Sequence, residues 1–503
     1  MNVKNLLINQ AKIYEKKPAF VFEDKPVSFL ELKGISFSFA NFLIDKGIKK
    51  EDKIVVFFPN IPEAIYVFLG VFSIGACVVP LDFMLTENEV INFINHSQAS
   101  LIVAYPKKDF KFERIKERCP SLKEIILCEN RGEKFIFLGD ILEKFQKDEP
   151  PVQIEEDSLS AIFYTSGSTG HPKGVMLTYR HFDNPINCIN YALDVSSCDI
   201  VLCGGVPFSH IGGIDYILVM LATGQTLILM ERFQPFEFLR NIEKYQVTWF
   251  WIVPAMYIAI LSLKDYTKFN LSSLRYAVVF GAPSSPILLK RFHKTCPKAR
   301  LLNGWGMTET SAPNCVLPVD VDKLESIGKF YPGMEAKIVD DKGDTLKEGQ
   351  CGELWVKGEG VMVGYYREQA LTDAVLTKDG WLKTGDIAYY DKEGLFYIVG
   401  RKKDMIKVAG EIVFSPEVEE KIQLHPKVKE VAVIGVPDKL RGEVPKAFIV
   451  IKEEESLSEE ELKDFLKKYL AHFKIPHYFE FLSELPKTRT GKIDKKQLQN
   501  YRG

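Results

Sequence analysis

Tyr164-Thr165-Ser166-Gly167-Ser168-Thr169-Gly170-His171-Pro172-Lys173-Gly174 is the stretch on which the reading of this 503-residue chain turns. Glycines and hydroxyl residues alternate through 165–170. The backbone can therefore turn tightly and aim several N–H and O–H groups at one phosphate. Lys173 adds a positive charge close by. The apolar run before it, Leu159-Ser160-Ala161-Ile162-Phe163, reads as a strand feeding the loop. A flexible linker would lack both that strand and the Pro-Lys-Gly that follows. The stretch is not a Walker A loop, because no Gly-Lys-Ser/Thr follows the spacer.

Outward from the loop, the chain alternates two kinds of segment. Apolar spacing predicts helices over 29–44 and 61–74 and strands over 53–58 and 76–80, an α/β pattern. The short apolar runs 221–229, 247–253 and 276–280 suit buried parallel strands. From 337 to 399 helices thin out. Short strands separated by Asp340-Asp341-Lys342-Gly343-Asp344, Lys378-Asp379-Gly380 and Asp391-Lys392-Glu393-Gly394 predict a β-rich subdomain. Gly400-Arg401-Lys402-Lys403-Asp404 is a polar, charged break, expected to be a linker or hinge. Beyond it come helices over 416–423 and 459–470 and strands over 430–435 and 447–452. The expected domains are therefore 1–400 and 401–503.

Composition narrows the function class. The chain is long enough for two or more domains. It is 46% apolar and 26% charged, with a formal net charge of −2. No global basic field points to nucleic acid. Nine cysteines are scattered without a CxxC pair or a zinc-ligand spacing, which fits reduced cytosolic thiols. Residues 1–20 read as an amphipathic helix instead of a signal peptide. No run approaches the roughly 20 apolar residues that span a bilayer. A cytoplasmic enzyme is expected; peripheral membrane contact and homodimerisation stay open.

Further blocks carry chemistry. Asn303-Gly304-Trp305-Gly306-Met307-Thr308-Glu309 offers a flat apolar ring and a carboxylate suited to a hard cation shared with phosphates. Asp386, in Thr384-Gly385-Asp386, can accept from two hydroxyls. Lys492 ends Pro486-Lys487-Thr488-Arg489-Thr490-Gly491-Lys492. Singly, these blocks read as a packed turn, an exposed turn and a surface lysine. Gly281-Ala282-Pro283, Pro207-Phe208-Ser209-His210 and 397–404 complete the set.

In this order the blocks resemble the motifs of the adenylate-forming superfamily: acyl- and aryl-CoA synthetases, beetle luciferase and peptide-synthetase adenylation domains. The loop YTSGSTGxPKG is matched in full by 164–174. The resemblance covers essentially the whole chain and is nearest to bacterial fatty acyl-CoA synthetases. It implies an α/β fold. A large N-terminal domain would hold two α/β subdomains and a β-rich one, and a small mobile α+β C-terminal domain would follow. It implies ATP, Mg2+ and coenzyme A as cofactor and co-substrates, and a carboxylic acid joined to coenzyme A through an acyl-AMP.

The resemblance also assigns residues. Thr165, Ser166, Gly167, Ser168, Thr169, Gly170 and Lys173 would hold the β- and γ-phosphates. Gly281, Ala282, Pro283, Asn303, Gly304, Trp305 and Gly306 would frame adenine. Thr308 would contact the α-phosphate, and Glu309 with Thr165 would hold magnesium. Asp386 would hold ribose and Arg401 steady the nucleotide. His210 would sit beside the acid, Lys403 would be the hinge, and Ala409 and Gly410 would line the pantetheine path. Lys492 would drive adenylation, since charge builds on the α-phosphate in the transition state. Trp305 replaces the usual Tyr, Phe280 the first Gly of GGAP, and Ser209 the usual Phe. An aryl acid in place of a fatty acid, a carrier protein as acceptor, a peptide-synthesis adenylation module and a silent nucleotide-binding protein remain alternatives. The apolar segments 208–216, 249–257, 280–284 and 306–314, with Gly212 and Gly213 adding space, are expected to receive the acid.

Overall fold

Local signals start several elements. Ser28 caps the helix Phe29–Asp45: Glu31 N–H donates to Ser28 Oγ, and Ser28 N–H donates to Glu31 Oε2 at 2.8 Å. Thr86 and Glu89 repeat this box at Glu87–Ser97. Each box satisfies two amides that the helix itself leaves open. The computed structural model describes residues 2–129, 134–165, 173–281, 286–318, 323–409, 411–453, 455–487 and 493–500. Ser166, Gly167, Ser168, Thr169, Gly170, Ala282, Pro283, Gly410 and Lys492 lie outside the described residues.

Packing divides the chain into two units, Met1–Glu335 with Val356–Leu382, and Ala336–Trp355 with Lys383–Gly503. The first unit holds two sheets. In the nine-stranded sheet, Arg300–Trp305, Tyr276–Val279, Trp249–Ile252, Ile200–Cys203, Thr226–Leu229 and Pro18–Phe22 lie side by side in parallel. Antiparallel strands close both ends. In the eight-stranded sheet, Leu159–Thr165 runs parallel to Cys77–Pro80 and antiparallel to Lys173–Thr178. Val55, Phe57, Val79, Ile102 and Ile162 are shut off from water beneath it, so the strand that leads into 166–172 rests on a fixed floor.

The expected elements appear, with two corrections. The helix expected over 1–20 covers only Val3–Ile13, and Pro18–Phe22 is strand. The run 221–229 is not one strand: the helix Ile211–Thr223 enters it, and only Thr226–Leu229 is strand. Gly224, at φ +72°, ends that helix and bonds back to Met220 O. An apolar count cannot see such a left-handed cap. The second unit carries the four-stranded sheet Met334–Val339, Gly352–Gly358, Leu382–Tyr390 and Phe396–Arg401. It also carries a sheet of Glu411–Phe414, Met405–Val408, Gly442–Ile451, Val428–Asp438 and Tyr478–Phe481, against which the helices Ser415–Gln423 and Glu459–Leu466 pack. The chain is thus mixed α/β, with a large N-terminal and a smaller C-terminal part. Among the described residues, no helix is long and apolar enough to cross a membrane.

Candidate active site

Thr165 and Lys173 face each other across the antiparallel pair that flanks 166–172. The strand is held from outside: Tyr164 Oη lies 2.7 Å from His96 Nδ1, and the Tyr164 ring packs 4.5 Å from that of Phe93. Gly174 has no room for a side chain, since a Cβ would come within 2.9 Å of Ile162. The two-residue strand Gly364–Tyr365 adds onto Lys173–Thr178, with Tyr365 opposite Val175. This brings the Tyr365 ring under the Lys173 ammonium, 5.0 Å from the ring centroid. Tyr365 Oη donates to Glu309 Oε1 at 3.0 Å. Burial, and then the charge of Glu309, pushes the Tyr365 phenol far up, so it remains a donor.

Glu309 lies on the single turn Thr308–Thr310 and is 9% exposed. Its carbonyl accepts from Met362 N–H at 2.9 Å. Just beyond the turn, Asn184 Nδ2 donates to Ser311 O at 2.7 Å and Pro313 O at 3.1 Å, and Tyr331 donates to Asn184 Oδ1 at 2.6 Å. Lys173 and Glu309, far apart in sequence, are thereby linked through Tyr365, with Thr165 opposite Lys173 in the strand pair. One buried carboxylate fits a magnesium ion that takes its other ligands from phosphate and water. No group of three or more His, Cys, Asp or Glu side chains placed to hold a metal ion occurs among the described residues.

The C-terminal ends of neighbouring parallel strands form a second feature, the usual ligand-binding edge of an open α/β sheet. Val253, Gly281 and Gly306 follow Trp249–Ile252, Tyr276–Val279 and Arg300–Trp305. Gly281 has φ +87°, a value open to glycine. Asn303 is buried and reaches Leu324 O at 3.3 Å. Trp305 is 8% exposed, edge-on to Phe330 at 5.6 Å. A Cβ on Gly304 would meet Phe280 Cε1 at 2.1 Å. The Phe280 ring, standing where the motif has glycine, therefore occupies the space that Gly304 leaves.

His210 is half-buried at the start of the helix Ile211–Thr223. Behind it, Trp251 Nε1 donates to Gly212 O at 3.0 Å. The Trp251 indole lies flat on Tyr216, with centroids 3.4 Å apart and planes at 8°. Tyr216 Oη also bonds the Trp251 backbone at both its carbonyl and its N–H. Gly213 does not add space: a Cβ there would meet Pro207 O at 2.1 Å. Gly212 does, with only Trp251 Nε1 near, at 4.0 Å.

In the second unit, Asp386 and Arg401 are opposite each other in the pair Leu382–Tyr390 and Phe396–Arg401. Arg401 Nε donates to Asp386 Oδ1 at 2.9 Å. Asp386 is 3% exposed, and its N–H donates to Thr384 Oγ1 at 3.0 Å. Lys403 lies in the turn Lys402–Asp404, whose neighbours are tied: Lys402 to Glu353 at 3.1 Å, and Asp404 O to Ser415 Oγ at 3.0 Å. Ala409 holds the left-handed region at φ +51°, its N–H bonded to Arg441 O at 2.8 Å.

Residues 7–366 match the family model described as AMP-binding enzyme, and 417–492 match the AMP-binding enzyme C-terminal domain. The chain belongs to the AMP-binding enzyme family. The long-chain-fatty-acid–CoA ligase of Bacillus subtilis (strain 168) is 32% identical over 99% of this chain and 94% of its own. The 4-coumarate:CoA ligase 1 of Petunia hybrida is 32% identical over 90% and 85%. The crystal structure of the anthranilate CoA ligase AuaEII with anthranoyl-AMP superposes with a TM-score of 0.92 at 26% identity, covering 99% of this chain and 97% of its own. Adenylate-forming CoA ligases use ATP, Mg2+ and coenzyme A.

Two residues at the site of this AMP-binding enzyme escaped the motif reading, Tyr365 and Asn184. Tyr365 follows Gly358, Gly360 and Gly364 and precedes Arg367 and Glu368, a glycine-rich signal that could have marked it; Asn184 has no such cluster of glycines around it. Four cysteines are poorly suited to act as nucleophiles. Burial pushes Cys119 up to about 11 and Cys128, Cys203 and Cys296 up to about 12.

Proposed function

We propose that this AMP-binding enzyme is an ATP-dependent ligase that joins a medium- or long-chain fatty acid to coenzyme A. The observation that carries this reading is the linkage of Lys173 to Glu309 through Tyr365, which keeps a phosphate-binding cation and a metal-binding carboxylate in one cluster. The fatty acid is supported by the likeness to the B. subtilis ligase along 99% of the chain.

A carboxylate cannot expel oxide, so the acid is first activated. Its oxygen attacks the ATP α-phosphorus, the bond to the β-phosphate oxygen breaks, and pyrophosphate leaves. The sulfur of coenzyme A then attacks the acyl carbon, AMP leaves, and the thiol proton passes to solvent. The protein supplies position and charge. In the first unit Thr165, Ser166–Gly170 and Lys173 hold the β- and γ-phosphates, and Thr308 the α-phosphate. Gly281, Ala282, Pro283, Asn303, Gly304, Trp305 and Gly306 frame adenine, and His210 orients the acid. Bound magnesium, held by Glu309 and Thr165, would offset phosphate charge. In the second unit Asp386 takes the ribose hydroxyls and Arg401 steadies the nucleotide. Ala409 and Gly410 line the pantetheine path, and Lys492 stabilises the adenylation transition state. Lys403, at a 400/401 boundary, is the hinge between the half-reactions. The nine free cysteines support a reducing, cytoplasmic setting.

A second reading, an aryl acid, is favoured by the rigid Tyr216–Trp251 stack beside Gly212, a flat wall suited to a ring. Pyrophosphate release over a panel of fatty and aryl acids, with mass detection of the CoA thioester, decides between them. The expected result is highest kcat/KM for straight-chain acids; a clear preference for coumarate- or benzoate-like acids overturns the fatty-acid assignment. Lys492→Ala should slow acyl-AMP formation by orders of magnitude while sparing thioester formation from supplied acyl-AMP. Undiminished pyrophosphate release would remove Lys492 from the mechanism.

A further inference from the structure

We propose that Tyr365 is a positioning residue that holds Lys173 and Glu309 apart and ready, the ammonium on its ring face and the carboxylate on its hydroxyl. This rests on the reading that Glu309 holds the divalent cation and Lys173 the phosphates. An ammonium and a carboxylate near one another tend to pair, and a pair would spend both charges. Here each meets a different part of one neutral side chain. Lys173 Nζ lies 5.0 Å from the ring centroid, where the π face attracts a cation. Glu309 Oε1 accepts the phenol hydrogen at 3.0 Å. The carboxylate is oriented without being neutralised, so its negative charge remains for a metal ion.

Tyr365 is itself fixed before any ligand arrives. It is 6% exposed, its N–H donates to Thr372 Oγ1 at 2.9 Å, and its strand pairs with Lys173–Thr178. The preceding Gly364 has φ +155°, and a Cβ there would approach Thr372 Cγ2 to 2.9 Å. The ring therefore reaches Lys173 and Glu309 from a backbone that is paired on one side and closely packed on the other. Outer-shell partners of this kind orient a metal ligand, and their loss typically weakens metal binding about 10–100-fold.

The test compares the full-length protein with Y365F, Y365L, E309Q and the E309Q/Y365F pair. Mn2+ binding is measured by electron paramagnetic resonance titration in the presence of a non-hydrolysable ATP analogue. Half-saturating Mg2+, ATP KM and acid KM are measured by pyrophosphate release. Y365F keeps the ring and loses the hydroxyl. It should weaken Mn2+ binding and raise half-saturating Mg2+ about 10-fold, leaving ATP KM at saturating Mg2+ and acid KM unchanged. Y365L, losing the ring too, should also raise ATP KM about 2–5-fold, as expected for one cation–π contact. In the E309Q background, Y365F should add nothing to the metal defect. Wild-type metal binding in Y365F alongside a defect in E309Q overturns the role of Tyr365 and leaves Glu309 as the ligand. Wild-type metal binding in E309Q overturns the Glu309 reading itself. A uniform loss across metal, ATP and acid constants in Y365F makes Tyr365 a general packing residue, and the proposal fails.

Discussion

Glu309 and Asp386 are both nearly closed to water, 9% and 3% exposed, yet they face different partners. Glu309 meets a neutral phenol. Asp386 meets the guanidinium of Arg401. A carboxylate oriented by a neutral donor keeps its charge for a cation. One already beside a cation offers acceptor lone pairs more than net charge, which suits sugar hydroxyls. Burial alone would have ranked the two alike; the partner separates them. Asp215, on the helix Ile211–Thr223, extends the series. Its Oδ1 has no donor among the described residues, and burial pushes its carboxyl well above the usual range.

The largest test of this contrast is Glu309→Gln, which keeps the shape and removes the charge. Pyrophosphate release should fall on the order of 10²–10³-fold, as for other transition-state charge contacts. Activity within a few-fold of wild type would erase the distinction from Asp386. Asp386→Ala should raise ATP KM roughly 10-fold, the scale of a lost hydrogen bond to a charged group. Its half-saturating Mg2+ and acid KM should stay put; a changed Mg2+ requirement would make Asp386 a metal residue too.

Trp251→Ala removes the indole that lies on Tyr216. It should shift kcat/KM between longer and shorter acids by about 10-fold, within the range for reshaping an apolar pocket. An unchanged acid profile would take the stack out of the substrate pocket.

The smallest effect concerns Asp215. Its folded-state pKa is raised, so above the unfolded value of a carboxyl the unfolded chain has lost a proton that the folded chain keeps. Stability from this group is therefore full below that value and lost as pH rises toward the folded pKa. Burial first, and then Asp215, pushes up the Cys188 thiol on the neighbouring helix Asp183–Ala192. Asp215→Asn should raise Tm more at pH 8 than at pH 5, read by scanning calorimetry. An equal shift at both pH values would mean that the carboxyl is not held neutral.

Much of this is legible in the sequence. The helix at 29–44 could be read because its apolar spacing is local. The motif residues Glu309, Asp386 and Arg401 could be singled out by their neighbours in sequence. Their partners could not. Asp386 meets Arg401 through an antiparallel register, and Tyr365 meets Lys173 through a strand added nearly two hundred residues later. The run 221–229 misled because it is apolar on both sides of a helix end. Gly212 and Gly213 look alike in sequence; only the approach of Pro207 tells them apart.

The parallel pairing of Phe20 with Leu227 has a consequence for how the chain is made. The strand Pro18–Phe22 leaves the ribosome early, but its partner Thr226–Leu229 follows about two hundred residues later. At 5–20 residues per second, the wait is on the order of ten to forty seconds. The strands Lys53–Phe57, Cys77–Pro80 and Leu101–Ala104 can assemble with one another in that interval, since they pair among themselves. Phe20, fully buried in the finished protein, has no such nearby partner on that side. Until the second sheet arrives, the nascent chain presents an unpaired apolar edge, the kind of segment that molecular chaperones are built to cover.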